Sequence, residues 1–248
     1  MPLASDTAEL FKIIKTTSMR RLKPDPVPNQ LIRKILEAGV CAPSGGNMQR
    51  WRFLVIRDRK VKETDGYKRS WDERVAPRYR SGEPAPGTSR ERFERMLAAA
   101  EYLANHIHEA PVWIVPCLEG DAPTHWSGSS IYPAVQNMLL AARALGLGAT
   151  LTTLHLVFEK EAEAAFGLPS NVHSYALLPI GYPMGRFGQS AAFLSPMSFS
   201  KIGGVSLPGT CSGATRPASL LEGYLLKHPL TGVHLALVFA ILGGSAGH

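Results

Sequence analysis

Residues 41 to 51 read Cys-Ala-Pro-Ser-Gly-Gly-Asn-Met-Gln-Arg-Trp, a dense group of turn-forming and amide-bearing residues. Pro43, Gly45 and Gly46 stop a preceding helix and let the backbone approach a ligand closely. Ser44, Asn47 and Gln49 carry donors and acceptors that suit both polar edges of a planar heterocycle. By composition alone, the same stretch also serves as an ordinary helix-to-strand connection. Other chemistries lack their residues. His106 and His108 are two apart on an expected helix and point to different sides, a poor metal pair. No Gly-x-Ser-x-Gly elbow and no Gly-x-x-x-x-Gly-Lys phosphate loop occurs, so the common hydrolase and NTPase motifs are missing. Gly146-x-Gly148 is half of a dinucleotide fingerprint, but it follows a helix and lacks the third glycine. His125, His155 and His173 read as structural.

The elements that would hold the 41–51 stretch are visible as periodicities. Asp6 or Thr7 would cap a first helix through Lys15. Pro28-Asn29 opens a second, in which Leu31, Ile32, Ile35, Leu36 and Val40 recur at helical spacing. Trp51–Ile56 reads as a strand. Residues 60–95 are charged and rich in turn formers, and are expected to be a mobile, loop-like insertion ahead of a helix over 91–107. Its Arg74, Arg78, Arg80, Arg90 and Arg92 are balanced by Asp72, Glu73, Glu91 and Glu94, the pattern of a solvated surface. A strand is expected over 112–118. Helix 130–145 carries almost no charge apart from Arg143 and is apolar on every face, so it must be buried all round, in a core or against another subunit. Ser129 or Ser130 would cap it, with Pro133 in its first turn. Gly146 and Gly148 end it.

Four segments, in order, resemble the nitroreductase family. The first is Ser18-Met19-Arg20-Arg21-Leu22-Lys23 with Pro26-Val27-Pro28, similar to a phosphate-binding entry in which Arg-Arg-Ser-x-Arg is usual; Thr16 and Thr17 stand in place of the two leading basic residues. The second is Ala42-Pro43-Ser44 through Asn47, Gln49 and Trp51, similar to a flavin-contacting loop, with Arg50 where proline is usual. The third runs from Gly128 through 130–145 to Leu147-Gly148 and a strand over 150–155. The fourth, Leu177 to Pro183, is similar to the last core strand. The match spans roughly residues 8–188.

The resemblance implies an α+β, three-layer fold with a central, mostly antiparallel sheet flanked by helices. It implies a homodimer with two FMN sites at the shared interface, the helix at 130–145 being the part that packs on the partner. Ser18 and Arg20 would bind the phosphate and ribityl end, with Arg186 as a second cation. Ser44, Asn47 and Gln49 would contact the ribityl chain or the ring edge, and the backbone of Thr152, Thr153 and Leu154 would face the isoalloxazine. His155 stands out among the histidines because it follows that segment. NAD(P)H would reduce the flavin and leave before a small acceptor, a nitroaromatic or a quinone, takes its place; no protein nucleophile is required.

Composition fits this reading. The chain has 248 residues, 45% of them hydrophobic, enough for one domain with appendages: an FMN-binding domain over 1–190 and an atypical tail over 191–248. The formal charge of +7 comes from basic residues scattered among acids, without a nucleic-acid motif. It suits attraction of anionic ligands such as a flavin phosphate or a nicotinamide dinucleotide. Cys41, Cys117 and Cys211 are too few and too scattered for a disulfide framework, and residues 1–20 contain no signal-like apolar core, so a cytoplasmic protein is expected. The 58 tail residues hold four charged side chains and nine glycines. Their apolar run at 233–242 is about half the length of a membrane-spanning helix. Two alternatives stand beside the oxidoreductase: a protein that sequesters or consumes flavin without turnover, and a membrane-associated interaction protein acting through its tail.

Overall fold

The computed structural model describes residues 10, 12–14, 18–64, 66–84, 88–120 and 123–187. Residues 10 and 12–14 are helical; the expected cap at Asp6 or Thr7, Thr16, Thr17 and the 191–248 tail lie outside the described residues. Pro28, with φ preset for entry, precedes α1 (Asn29–Val40), and its carbonyl accepts from the Leu31 and Ile32 N–H groups. Ile32, Ile35 and Gly39 form the buried stripe. Val40, expected on that stripe, is instead 47% exposed. Gly39 takes the inner position because a Cβ there would come within 3.0 Å of Met138 Cγ.

After β1 (Trp51–Ile56), the stretch expected to be an irregular insertion is largely helical: α2 (Arg59–Thr64), α3 (Tyr67–Ser70), a π-helical turn over Trp71–Val75, α4 (Ala76–Arg80) and α5 (Arg90–His106). Tyr67, Trp71 and Ala76 are all almost fully buried, and the Ala76 N–H donates to the Trp71 carbonyl five residues back, the hydrogen-bond span of the π turn that joins them. The charged residues that suggested a loop lie on the outer face as ion pairs, Lys68 with Asp72, Arg69 with Glu161, Arg80 with Glu101 and Arg90 with Glu94. Ser89 caps α5, its Oγ accepting from the Arg92 N–H.

β2 (Val112–Glu119) leads to α6 (His125–Ala144), which begins well before Ser130. Thr124 and Ser127 form a capping box: Thr124 Oγ1 accepts from the Ser127 N–H (3.2 Å), and Ser127 Oγ accepts from the Thr124 N–H (2.7 Å). Pro133 therefore falls in the helix interior, not the first turn. Nor does one chain bury α6 all round. Ile131, Ala134, Val135, Met138 and Ala142 are buried on one stripe, whereas Trp126 and Tyr132 are 87% and 41% exposed. Gly146, at φ 76°, ends the helix while the Leu147 N–H reaches back to the Ala142 carbonyl. The strand expected over 150–155 is reduced to β3 (Gly148–Ala149) and a bridge from Thr152 to Leu177, because residues from Leu154 to Phe158 turn into a 3-10 helix. α7 (Glu159–Ala165), β4 (Val172–Ser174) and β5 (Leu178–Gly181) complete the fold.

The five strands pair antiparallel throughout. β1 lies on one edge of β2; β4 and β5 share the other, and β3 pairs with β5. Along β2, Val112 and Ile114 face a layer holding Ile32, Ile35, Val135 and Met138, while Trp113, Val115 and Cys117 face a layer holding Tyr67, Trp71, Leu103 and Phe166. Helices cover both faces, so the architecture is the expected three-layer α+β fold, and β2 reads as a continuous apolar run for that reason. Cys41 is exposed and Cys117 buried, both as free thiols. Among the described residues, no helix is long and apolar enough to cross a membrane.

Candidate functional site

The segment 18–23 runs along the sheet beyond β3 and β5. The Met19 N–H donates to the Ala149 carbonyl (3.0 Å), the Lys23 N–H to the Tyr182 carbonyl (2.7 Å), and Leu22 bridges Pro183. Met19 and Leu22 are buried over Gly148, where a Cβ would meet Met19 Cγ at 2.6 Å; that close approach requires glycine. Ser18 is left exposed at the rim of a cavity of about 170 Å³ shared with Gln136, Arg143, Thr150 and Phe187. The Arg143 guanidinium lies 3.5 Å from the centroid of the Phe187 ring, and its buried Nε finds no acceptor among the described residues. Arg20, half-buried, and Arg186, exposed, are not part of that lining. Arg143 was legible as the lone charge near the end of an apolar helix, but its partners were not.

Ser44, Asn47 and Gln49 sit together on an exposed loop containing a 3-10 turn over Gly45–Asn47. Gly46, Asn47 and Gln49 have φ values of 57°, 52° and 49°, and two of the three are not glycine. Such a run costs conformational energy and persists only where neighbours hold it. Here the Gln49 N–H donates to Ser44 Oγ (3.1 Å), Gln49 Nε2 to Asn47 Oδ1 (2.8 Å), and the Gly45 N–H to Ser130 Oγ on α6 (3.0 Å). Among the described residues, Asn47 Nδ2 and Gln49 Oε1 have no hydrogen-bond partner. Ser130 and Arg143 are thirteen residues apart on one helix, about 20 Å at 1.5 Å per residue. One chain thus brings Ser44, Asn47 and Gln49 together, and Ser18 with Arg143, but it holds the two groups at opposite ends of α6.

Thr152 exchanges both backbone hydrogen bonds with Leu177 (3.1 and 2.9 Å), and its hydroxyl meets the Tyr67 hydroxyl at 2.8 Å in the interior. Tyr67, a residue the sequence reading assigned to a loop, therefore fixes this segment from the helical insertion. Thr153 is exposed, Leu154 half-buried. His155 points the other way, into the core beside Phe166; neither ring nitrogen has a hydrogen-bond partner among the described residues, and burial pushes its pKa down to about 4. It is a neutral packing group in this structure. Near the start of α6 an open cleft of about 780 Å³ is walled by Ser129, Tyr132, Leu156, Glu159 and Tyr175. The two tyrosine rings meet edge-on at 6.2 Å, and Tyr175 donates from its hydroxyl to Ser127 Oγ (2.6 Å), which fixes an aromatic wall.

The sequence profile of the nitroreductase family matches residues 13–182. The NADH dehydrogenase of Thermus thermophilus is 32% identical, the alignment covering 68% of this chain and 84% of that protein. The iodotyrosine deiodinase of Thermotoga neapolitana is 31% identical over 68% of this chain and 85% of its own length. Among solved structures, an oxidized iodotyrosine deiodinase bound to FMN and 3-iodo-L-tyrosine is similar with a TM-score of 0.58 at 27% identity, covering 77% of this chain and 100% of that one.

Proposed function

From membership of the nitroreductase family, to which this chain belongs, we propose that it is an FMN-dependent oxidoreductase that passes hydride from NAD(P)H to a small acceptor such as a nitroaromatic or a quinone. The observation that carries the reading is the pairing of an anion-sized, hydroxyl-lined cavity at one end of α6 with a strained, amide-rich loop at the other. Both suit the two polar parts of a flavin mononucleotide. Ser18 and Arg20, with Arg186, would take the phosphate and ribityl end. Ser44, Asn47 and Gln49 would hold the ribityl chain or the ring edge, and the backbone of Thr152, Thr153 and Leu154 would back the ring, with Tyr67 locking Thr152 in place. Bound FMN would supply the redox chemistry, accepting hydride from the nicotinamide and giving it to the acceptor. The protein's own part is to orient, to neutralise phosphate charge and to shape the acceptor space; no side chain is needed as a nucleophile.

The same geometry supports a homodimer. Two copies packed about a two-fold axis through the middle of α6 would run their helices antiparallel, which carries the 44–49 loop of one chain toward the Ser18 end of the other. It would also cover the Trp126 and Tyr132 face that one chain leaves open.

Purified, flavin-loaded protein tests the proposal. NADH or NADPH added without oxygen should bleach the flavin absorption band, and a nitroaromatic or a quinone should restore it. Initial rates should give parallel double-reciprocal lines, because reductant and acceptor use one site in turn. A 3-iodotyrosine arm belongs in the assay, since relatives carry the deiodinase name. Protein that takes up no flavin sinks the proposal. Protein that keeps FMN but is never bleached points to the flavin-sequestering alternative.

A further inference from the structure

Resting on the FMN reading, we propose that Arg143, on α6, is the cation that holds the phosphate monoester of the cofactor in the cavity it shares with Ser18. The cavity, about 170 Å³, is well below the range of ring-binding pockets, yet roomy for one tetrahedral anion. Its polar lining consists of the Ser18 and Thr150 hydroxyls, the Gln136 amide and the Arg143 guanidinium; no carboxylate is among the lining residues. Arg143 is the sole cation among them, on a helix otherwise free of charge.

The guanidinium is preorganised. Phe187 lies against its flat face at 3.5 Å, which holds the plane while leaving the N–H edge for a ligand. Its Nε is buried without an acceptor among the described residues, and the side chain lines the cavity, where an anion would form charge-assisted hydrogen bonds with the guanidinium. The helix dipole adds no attraction at a C-terminal turn, so the charge on Arg143 must supply it. Arg20 and Arg186 do not line this cavity, so among the described residues the only cation within it is Arg143.

FMN and riboflavin differ only in the phosphate, so their affinities separate this role from general flavin binding. In fluorescence titrations of flavin-stripped full-length protein, the wild type should bind FMN more tightly than riboflavin. Arg143→Met should weaken FMN by about 10- to 100-fold, the cost of a charge-assisted hydrogen bond, with riboflavin unchanged within about twofold. Inorganic phosphate should compete with FMN and not with riboflavin. Equal losses for both flavins, or no loss, would overturn the inference while leaving the FMN reading intact. A wild type that binds neither flavin removes both. Circular dichroism checks the fold; if Arg143→Met unfolds, Arg143→Gln, which keeps a polar head on a similar stem, gives the same ratio. Unfolding of both would make Arg143 a structural group and end the proposal.

Discussion

Asn47 and His155 show how differently two polar residues near one proposed site are used. Asn47 occupies a left-handed conformation at φ 52° and spends its carbonyl on Gln49 Nε2, so its amide nitrogen remains for a ligand. Asn47→Ala should weaken FMN retention by about 1 to 3 kcal/mol, the range for a buried hydrogen bond. Equilibrium dialysis against FMN measures it, and an unchanged dissociation constant would remove the loop from the cofactor site. His155 is buried with no hydrogen-bond partner on either ring nitrogen among the described residues, and burial holds its folded pKa at about 4, below the usual 6.5. The unfolded chain takes up a proton near pH 6.5 and the folded chain only near pH 4. The stabilising effect is therefore complete above pH 6.5 and is lost as pH falls through that window. His155→Leu, close in volume and without orphaned nitrogens, should gain about 1 kcal/mol at neutral pH and flatten the loss between pH 6.5 and 4. Urea denaturation at several pH values reads both effects; a parallel pH profile for the two proteins would contradict the assignment.

At the scale of elements, α6 organises the molecule. Its N-terminal capping box starts it at His125, its inner stripe packs on the sheet, and its two ends hold the two candidate ligand groups. Thr124→Ala removes the cap acceptor for the Ser127 N–H and should cost about 1 kcal/mol. Because Ser127 also accepts from the Tyr175 hydroxyl, the loss should loosen the aromatic wall of the 780 Å³ cleft. Thermal unfolding gives the first quantity, and the Michaelis constant of the acceptor the second. A lowered melting temperature with an unchanged constant would separate the cap from the cleft. The approach of α1 to α6 is fixed by the absence of a side chain at Gly39, over Met138, and by the Asn137 Nδ2 bond to the Ala38 carbonyl (3.2 Å).

At the scale of the whole molecule, the exposed Trp126 and Tyr132 side of α6 is where a second copy would pack. Light scattering of the full-length protein should give twice the chain mass of 26.9 kDa. Trp126, 87% exposed near the start of α6, lies on the face that a second copy would cover, and a charge there would oppose apolar packing against it. Trp126→Arg should yield a monomer that also loses FMN, because each flavin would need parts of two chains. A folded monomeric variant with wild-type FMN affinity would contradict the shared site.

What the sequence by itself determined is what short-range chemistry controls. β1 lies at Trp51–Ile56 because a compact apolar run sits beyond a glycine-rich turn; α1 begins after Pro28, and α6 ends before Gly146, because φ is set locally by proline and glycine. The antiparallel three-layer fold came through the resemblance of segments that are each weak alone. Tertiary structure decided the rest, because the deciding contacts join residues far apart in the chain. The charged 60–95 stretch is helical since Tyr67, Trp71 and Ala76 find a core to enter, a gain that local propensity does not contain. Val40 yields to Gly39 because Met138, about a hundred residues on, leaves no room for a side chain. Arg143 joins Ser18 and Phe187, and the loop at Asn47 is carried to the far end of α6, only when the helix, the sheet edge and the 18–23 segment have packed together.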